Sequence, residues 1–390
     1  MTTTAIAPSP LLSRFVRVGT LTVTQGSRTR LLTGGQPGPS VTVHIQSSRA
    51  WVRILRGGAL GFAEAYMLGE IDTPDLAEFF VWGALNQEAF RSGRLGNRFF
   101  SGSRRLWQRL AADLPHRSVG STTDHYDLGN DFYAEWLDES MSYSSARFEY
   151  PSQPMASAQR NKYATLARMA GIQPGDRVLE IGCGWGGFAE YAAGQLGCHV
   201  TAITLSTEMA EYARKRLSSQ GLGHLVDIRI EDFRATAGTF DRVVSVEMIE
   251  SVDESQWPAL FATIRARLAP HGGAAMQAIT IDDTEWHDYR HGQDFIQRYI
   301  FPGGQLPAPA VLAGLAGDNG LAITTDERFG ADYARTLAWW HDRFEQVWPR
   351  LAGPQFDEHF HRMWKLYLTY CEAGFRLGRI DVHQIGLRPA

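Results

Sequence analysis

The sequence predicts an α/β protein: a doubly wound parallel sheet that follows a smaller N-terminal α+β domain. Three observations predict it. The stretch Arg177–Ala189 reads as a strand, a glycine turn and a helix. From Met155 onward, strand-like and helix-like segments alternate, as in a parallel sheet covered by helices. Residues 1–115 carry alternating half-buried strands instead.

In that first domain, Leu21–Thr24 and Val41–Ile45 alternate as strands, and Gly34–Pro39 between them reads as a turn. Trp51–Leu55 is expected as a third strand, closed by Gly57 and Gly58. Leu60–Met67 and Leu76–Phe90 are expected as helices, and Pro74 punctuates the chain between them. A structural or dimerising module is the default expectation here. Arg91–Pro115 interleaves arginines with Phe99, Phe100, Trp107 and leucines. Such a stretch either docks on anionic head groups or is a solvated linker.

The second domain, 116–390, opens on His125–Tyr133 and Met141–Ala146, dense in aromatics and short polar side chains. Each buried hydroxyl there needs a partner, so the segment suits the lining of a site better than plain core. The doubly wound pattern then runs in order. Met155–Met169 is a helix, Val178–Ile181 a buried strand, and a helix runs to about Leu196. His199–Ile203, Val226–Ile230, Arg242–Val246 and Ala274–Ile279 are strands; Thr207–Ser219 and Trp257–Leu268 are helices. Polar groups stand at four strand ends: Glu180, Thr204 with Ser206, Asp232 and Glu250. The carboxyl ends of such strands are where ligands bind. A long insertion, roughly 281–330, holds the apolar, aromatic Phe295–Gly304, as a lid over a greasy substrate would. Tyr333–Val347 and Phe356–Phe375 read as aromatic-rich helices.

At 390 residues the chain has room for two domains, and a net charge of −4 gives no field favouring nucleic acid. Three scattered cysteines argue for a reducing compartment rather than a disulfide framework. The N-terminus lacks the pattern of a secretory signal, and no apolar run spans a bilayer. The expectation is a cytoplasmic protein whose membrane contact is peripheral. His287 and His291 stand four apart without an HExxH pattern, so no metal is expected.

Gly182, Gly184 and Gly187 match G-x-G-x-x-G. A nicotinamide cofactor would want a carboxylate about 20 residues on, but Ala202–Ser206 holds no acid. Glu180 stands just before the first glycine, where it would repel a pyrophosphate and attract a cation. S-adenosylmethionine, with its sulfonium and ammonium, suits that charge.

Together these residues resemble the cyclopropane-fatty-acid synthase family of S-adenosylmethionine-dependent methyltransferases. The resemblance rests on His125–Tyr133, Met141–Phe148, Val178–Ala189, Ser245–Val252, Asp294–Pro307 and Tyr370–Phe375. It implies a class I methyltransferase sheet with a lipid-covering insertion. It also implies methyl(ene) transfer to the cis double bond of an unsaturated phospholipid acyl chain, giving a cyclopropane. The enzyme is expected as a homodimer, peripheral on the inner face of the membrane. The cofactor would meet Tyr126, Tyr143, Ser144, Glu180, Gly182, Gly184, Trp185, Thr204, Ser206 and Asp232. In the family a bound bicarbonate is the proton acceptor. The positions that would hold it are Ser145, Glu250, Gln277, Ile279 and Tyr333, with Ser145 and Gln277 replacing the family's Cys and His. Both replacements donate hydrogen bonds but do not titrate. A methyl-branched or methylene chain, or another small acceptor, stays open as the alternative, and so does a non-catalytic lipid-binding protein.

Overall fold

The computed structural model describes residues 16–92 and 128–390. Residues 16–92 with Trp348–Leu377 form one compact unit, and residues 128–347 with Gly378–Ala390 form the other. The sequence expectation had placed 348–377 in the second domain.

In the first unit, β1 (Val18–Gln25), β2 (Arg28–Thr33), β3 (Gln36–Ile45) and β4 (Ile71–Asp72) make a sheet in the order β2-β1-β3-β4. The expected turn at Gly34–Pro39 is shorter, because β3 already begins at Gln36. Pro37 and Pro39 are accommodated beside a register shift in the pairing of β1 with β3. Trp51–Leu55 is not a strand: helix Arg49–Met67 runs through it, with a non-helical break at Gly58. Apolar residues in that half do not alternate between core and solvent; Trp51, Val52 and Leu55 are all exposed. Helix Glu358–Arg376 belongs to this unit through long-range contacts that its own pattern does not announce. Tyr370 packs edge-on to Phe80 with centroids 5.3 Å apart, and Arg362 Nη2 donates to the Ile71 carbonyl at 2.7 Å.

The second unit is built on seven strands: β5 (Arg177–Ile181), β6 (His199–Thr204), β7 (Val226–Ile230), β8 (Phe240–Val246), β9 (Leu268–Ile281), β10 (Leu321–Arg328) and β11 (Ile380–Pro389). Their order is β10-β11-β9-β8-β5-β6-β7. β9, β8, β5, β6 and β7 are parallel, and β11 is antiparallel to both its neighbours. Helices Met155–Ala170, Gly187–Leu196 and Thr207–Ser219 pack on one face, and Trp257–Arg267 with Pro309–Asp318 on the other. Val178, Leu179 and Val244 are therefore wholly buried, which explains the unbroken apolar runs. The chain leaves β5 toward β6 on one side and returns to β8 on the other, so the sheet's switch point lies at the end of β5.

The expected insertion is smaller than 281–330. Its later part supplies helix Pro309–Asp318 and β10 to the fold, and Trp286–His291 and Ile296–Ile300 remain as added turns. Phe295 and Ile300 are buried, and Gln305 N donates to the Glu250 carbonyl at 2.9 Å, so the insertion abuts the end of β8. Among the described residues, no helix is long and apolar enough to cross a membrane. The basic stretch expected to touch lipid lies, beyond Ser92, outside the described residues.

Candidate active site

The glycine turn leaves β5 with Gly182 at φ 84° and Gly184 at φ 50°. A Cβ on Gly182 would strike Met248 Cγ at 2.6 Å, whereas one on Gly184 would meet nothing within 4 Å. Gly182 thus lets the loop close on its neighbour, and Gly184 leaves an open flank. Glu180 is buried beneath this loop, where its carboxylate accepts from the Ala189 amide. Burial holds its pKa well above the carboxylate range, against the pull of that amide and of Lys162. Its Oε2 finds no hydrogen-bond partner among the described residues.

An aromatic wall stands beside the turn. Tyr133 packs on Trp185 with centroids 5.0 Å apart and on Tyr143 at 5.3 Å. Trp340 meets Tyr143 at 5.3 Å, Trp136 at 5.9 Å and Tyr333 at 5.8 Å. Trp185 Nε1 donates to Asn130 Oδ1 at 2.6 Å, which fixes the ring against helix Asn130–Trp136.

The end of β8 carries two carboxylates. Glu247 has a left-handed backbone, φ 47°, rare for a residue with a Cβ. Its Oε1 accepts from Ser145 N at 2.9 Å and from Gln277 Nε2 at 2.7 Å; its Oε2 accepts from Tyr333 Oη at 3.0 Å. Burial raises its pKa, opposed by Lys162 and these donors. Glu250 Oε1 accepts from Ile279 N at 2.5 Å, and its shielded Oε2 has no partner among the described residues. Burial, then repulsion from Glu247, pushes Glu250 up to about 8.

The structure brings Ser145, Gln277 and Tyr333, three of the positions the resemblance assigns to an anion, together around Glu247. Ser145 uses its amide; its hydroxyl donates to the Ala146 carbonyl. Ile279 contributes its amide to Glu250 instead. Ser144 is buried and its Oγ accepts from Lys162 Nζ at 2.6 Å. Lys162 is wholly buried, which lowers its pKa to about 8 against the attraction of Glu247, Asp138 and Glu180. Ser206 Oγ caps helix Thr207–Ser219 at Met209 N, and Thr204 Oγ1 accepts from Ser206 N. Asp232 is held by Arg234, which keeps its pKa below the usual range. Tyr126 lies outside the described residues.

Sequence reasoning singled out neither Glu247, Lys162 nor Trp340, and it placed Tyr133 and Trp136 only within a stretch expected to line a site. Glu247 had a signal: a second acid at the end of a parallel strand, three residues before Glu250. Lys162 had none, because a lysine in an amphipathic helix normally faces water.

The surroundings of the turn suit a cationic adenosyl cofactor: an open glycine flank, aromatic faces, and the buried acids Glu180 and Asp138 beside the buried Lys162. Comparison with known proteins agrees. Residues 115–385 match the family described as mycolic acid cyclopropane synthetase. The chain is 41% identical over 356 residues to the tuberculostearic acid methyltransferase UfaA1 of Mycobacterium tuberculosis, covering 89% of this chain and 82% of that one. It is 33% identical over 347 residues to the cyclopropane-fatty-acyl-phospholipid synthase of Escherichia coli, covering 88% and 86%. The structure of the cyclopropane synthase MmaA2 from Mycobacterium tuberculosis superposes with a TM-score of 0.64 at 29% identity, covering 70% of this chain and 99% of that one. The mycolic acid cyclopropane synthase CmaA1 complexed with SAH and CTAB gives the same TM-score at 28% identity, covering 70% and 98%. The chain belongs to the mycolic acid cyclopropane synthetase family and is an S-adenosylmethionine-dependent lipid methyltransferase.

Proposed function

We propose that the chain methylates the cis double bond of an unsaturated fatty-acyl chain in a phospholipid and delivers a methylene-bearing chain. The observation that carries this reading is the Tyr333–Glu247 hydrogen bond. It joins an aromatic wall, which tolerates a cation, to a carboxylate, which takes a proton.

S-adenosylmethionine supplies an electrophilic methyl group when bound. The backbone of Gly182–Gly184 and the Ser144 hydroxyl would hold it, with Asp232 toward the adenine. The acceptor's π pair forms the new carbon–carbon bond and leaves an electron-poor carbon. Faces of Tyr143, Trp340 and Tyr333 stabilise that carbon by roughly 0.5–2 kcal/mol each. A hydride shift to the electron-poor carbon moves the charge to the methyl-bearing one. A proton then leaves the methyl, and its C–H pair becomes the new double bond.

Cyclopropane formation is the second reading. It is favoured by the likeness to the Escherichia coli enzyme, and its C–H pair closes a three-membered ring instead. The methylene reading is preferred because of the 41% likeness to a tuberculostearic acid methyltransferase and because the donors expected around bicarbonate end on Glu247.

Lipid access is proposed through the exposed Trp51, Val52 and Leu55, which share a helix with Arg49 and Arg56. Such a face suits an anionic bilayer surface. The enzyme would act there as a peripheral protein on the cytoplasmic side, and homodimerisation remains part of the proposal.

The test is incubation with methyl-labelled S-adenosylmethionine and unsaturated phospholipid vesicles. A labelled product cleaved by ozone supports the methylene chain. An ozone-resistant product of the same mass supports the ring, and no labelled lipid overturns both.

A further inference from the structure

We propose that Glu247 is the enzyme's built-in proton acceptor, a carboxylate of the chain itself standing where a free anion would otherwise bind. The inference rests on the reading that an alkene is methylated and then loses a proton.

The hydrogen-bond polarity around Glu247 is fixed from outside the site. Arg147 can only donate, and its Nη1 donates to Gln384 Oε1 at 2.9 Å. That orients the Gln384 amide so that its Nε2 donates to Gln277 Oε1 at 2.8 Å. Gln277 is thereby turned so that its Nε2 faces Glu247 Oε1 at 2.7 Å. Ser145 N and Tyr333 Oη add two more donors. A protonated carboxyl could not accept from all three and keep its own hydrogen bonded, so this shell selects the ionised form.

The neighbouring Glu250 has no side-chain donor among the described residues: it is met by Ile279 N and its own amide, and Oε2 has no partner there. Two half-buried carboxylates that repel one another do not both ionise readily, and the better-donated one keeps the charge. Glu247 is thus the anion, and Glu250 is the group that carries a proton. Lys162, buried among Glu247, Asp138 and Glu180, is the nearby cation.

The backbone supports the same assignment. A left-handed glutamate costs about 1–3 kcal/mol and persists where surrounding structure enforces it, most often at functional sites. Here the enforcement is visible: Glu247 N donates to the Gln277 carbonyl at 2.8 Å, while the Gln277 side chain donates back to the carboxylate.

The step balances without an added reagent. Glu247 Oε1 accepts twice and Oε2 once, so Oε2 keeps a lone pair. That lone pair takes the proton from the methylated acyl chain. The broken C–H pair stays with the lipid as its new bond, and the proton later returns to water.

Three measurements test this. Turnover of the native enzyme in carbonate-depleted buffer should be unchanged by added bicarbonate. Glu247→Gly should fall by about 10²- to 10⁴-fold, the usual contribution of a positioned base. It also relieves the left-handed strain, so the protein should fold. Formate or bicarbonate should restore part of its turnover, and Glu247→Gln should be inactive and unrescued. Without any lipid, Glu247→Gly should broaden the ¹³C signal of bicarbonate and the native protein should not. The proposal is overturned if native turnover requires bicarbonate, if native protein binds it, or if Glu247→Gln keeps native turnover. The broadening experiment needs no lipid chemistry, so its outcome is separate from that of the labelled-lipid assay.

Discussion

Gln384 Nε2 lies 2.8 Å from Gln277 Oε1, and this contact between β11 and β9 decides which end of Gln277 faces Glu247. Gln384 touches no reacting group; it acts by position. In Gln384→Leu the Gln277 amide is free to turn, and Glu247 loses a donor that favours its charge. Its pKa should rise, so the acid limb of the kcat–pH profile should move up by about one pH unit, equivalent to ~1.4 kcal/mol. S-adenosylhomocysteine affinity should not change. A loss of kcat with an unmoved limb would show that Gln384 only supports the fold.

Lys162 Nζ donates to Ser144 Oγ, so the serine's own proton must be given elsewhere. Lys162→Met should weaken S-adenosylhomocysteine binding about tenfold by calorimetry, ~1.4 kcal/mol. Because folding lowers the lysine's pKa from 10.5 to about 8, the unfolded chain binds more protons between those values. Native stability from this group therefore rises with pH across that window. The native-minus-Lys162→Met difference in melting temperature should grow from pH 8 to 10.5. A flat difference would contradict the buried, depressed lysine.

Glu250 has the opposite sign. Folding raises its pKa from 4.5 to about 8, so the folded state binds more protons between them. Its stabilising contribution is present below 4.5 and lost as pH rises through about 8. Glu250→Gln should melt progressively higher than native protein across that range. Its turnover should stay near native, because the amide replaces a carboxyl that already carries a proton, with cofactor affinity largely kept. Equal loss of turnover and affinity would make Glu250 a cofactor residue instead.

Trp51 and Leu55 are exposed apolar side chains on one helix. Their joint replacement by alanine should reduce sedimentation with anionic vesicles while leaving turnover on detergent-dispersed lipid near native. Undiminished vesicle binding would move the lipid surface elsewhere on the chain.

Much of the fold was legible locally. Val178–Ile181 reads as a covered strand because Val178, Leu179 and Ile181 put apolar side chains on both faces, and Thr207–Ser219 begins at Ser206 because a serine there caps the helix. β10 escaped because it is an edge strand, paired only with β11 and mostly solvent-facing, so its pattern is weak. Trp51–Leu55 misled because β-branched and aromatic residues suggest a strand, whereas the exposed face of a helix can also carry them. At the site, the resemblance put Ser145, Gln277 and Tyr333 around one acceptor, and the carboxylate their donors meet in the structure, Glu247, was not seen. A sequence shows which donors recur at strand ends, not which acceptor fills the space among them.

The sequence by itself determined the sheet, the glycine turn and the preference for a cationic cofactor, because these depend on local spacing and charge type. Only the tertiary structure decided that the donors of Ser145, Gln277 and Tyr333 meet on Glu247. Those residues are far apart in the chain, and the polarity of their bonds is set by Arg147 through Gln384. Hydrogen-bond direction is a property of the assembled network, and no single segment carries it.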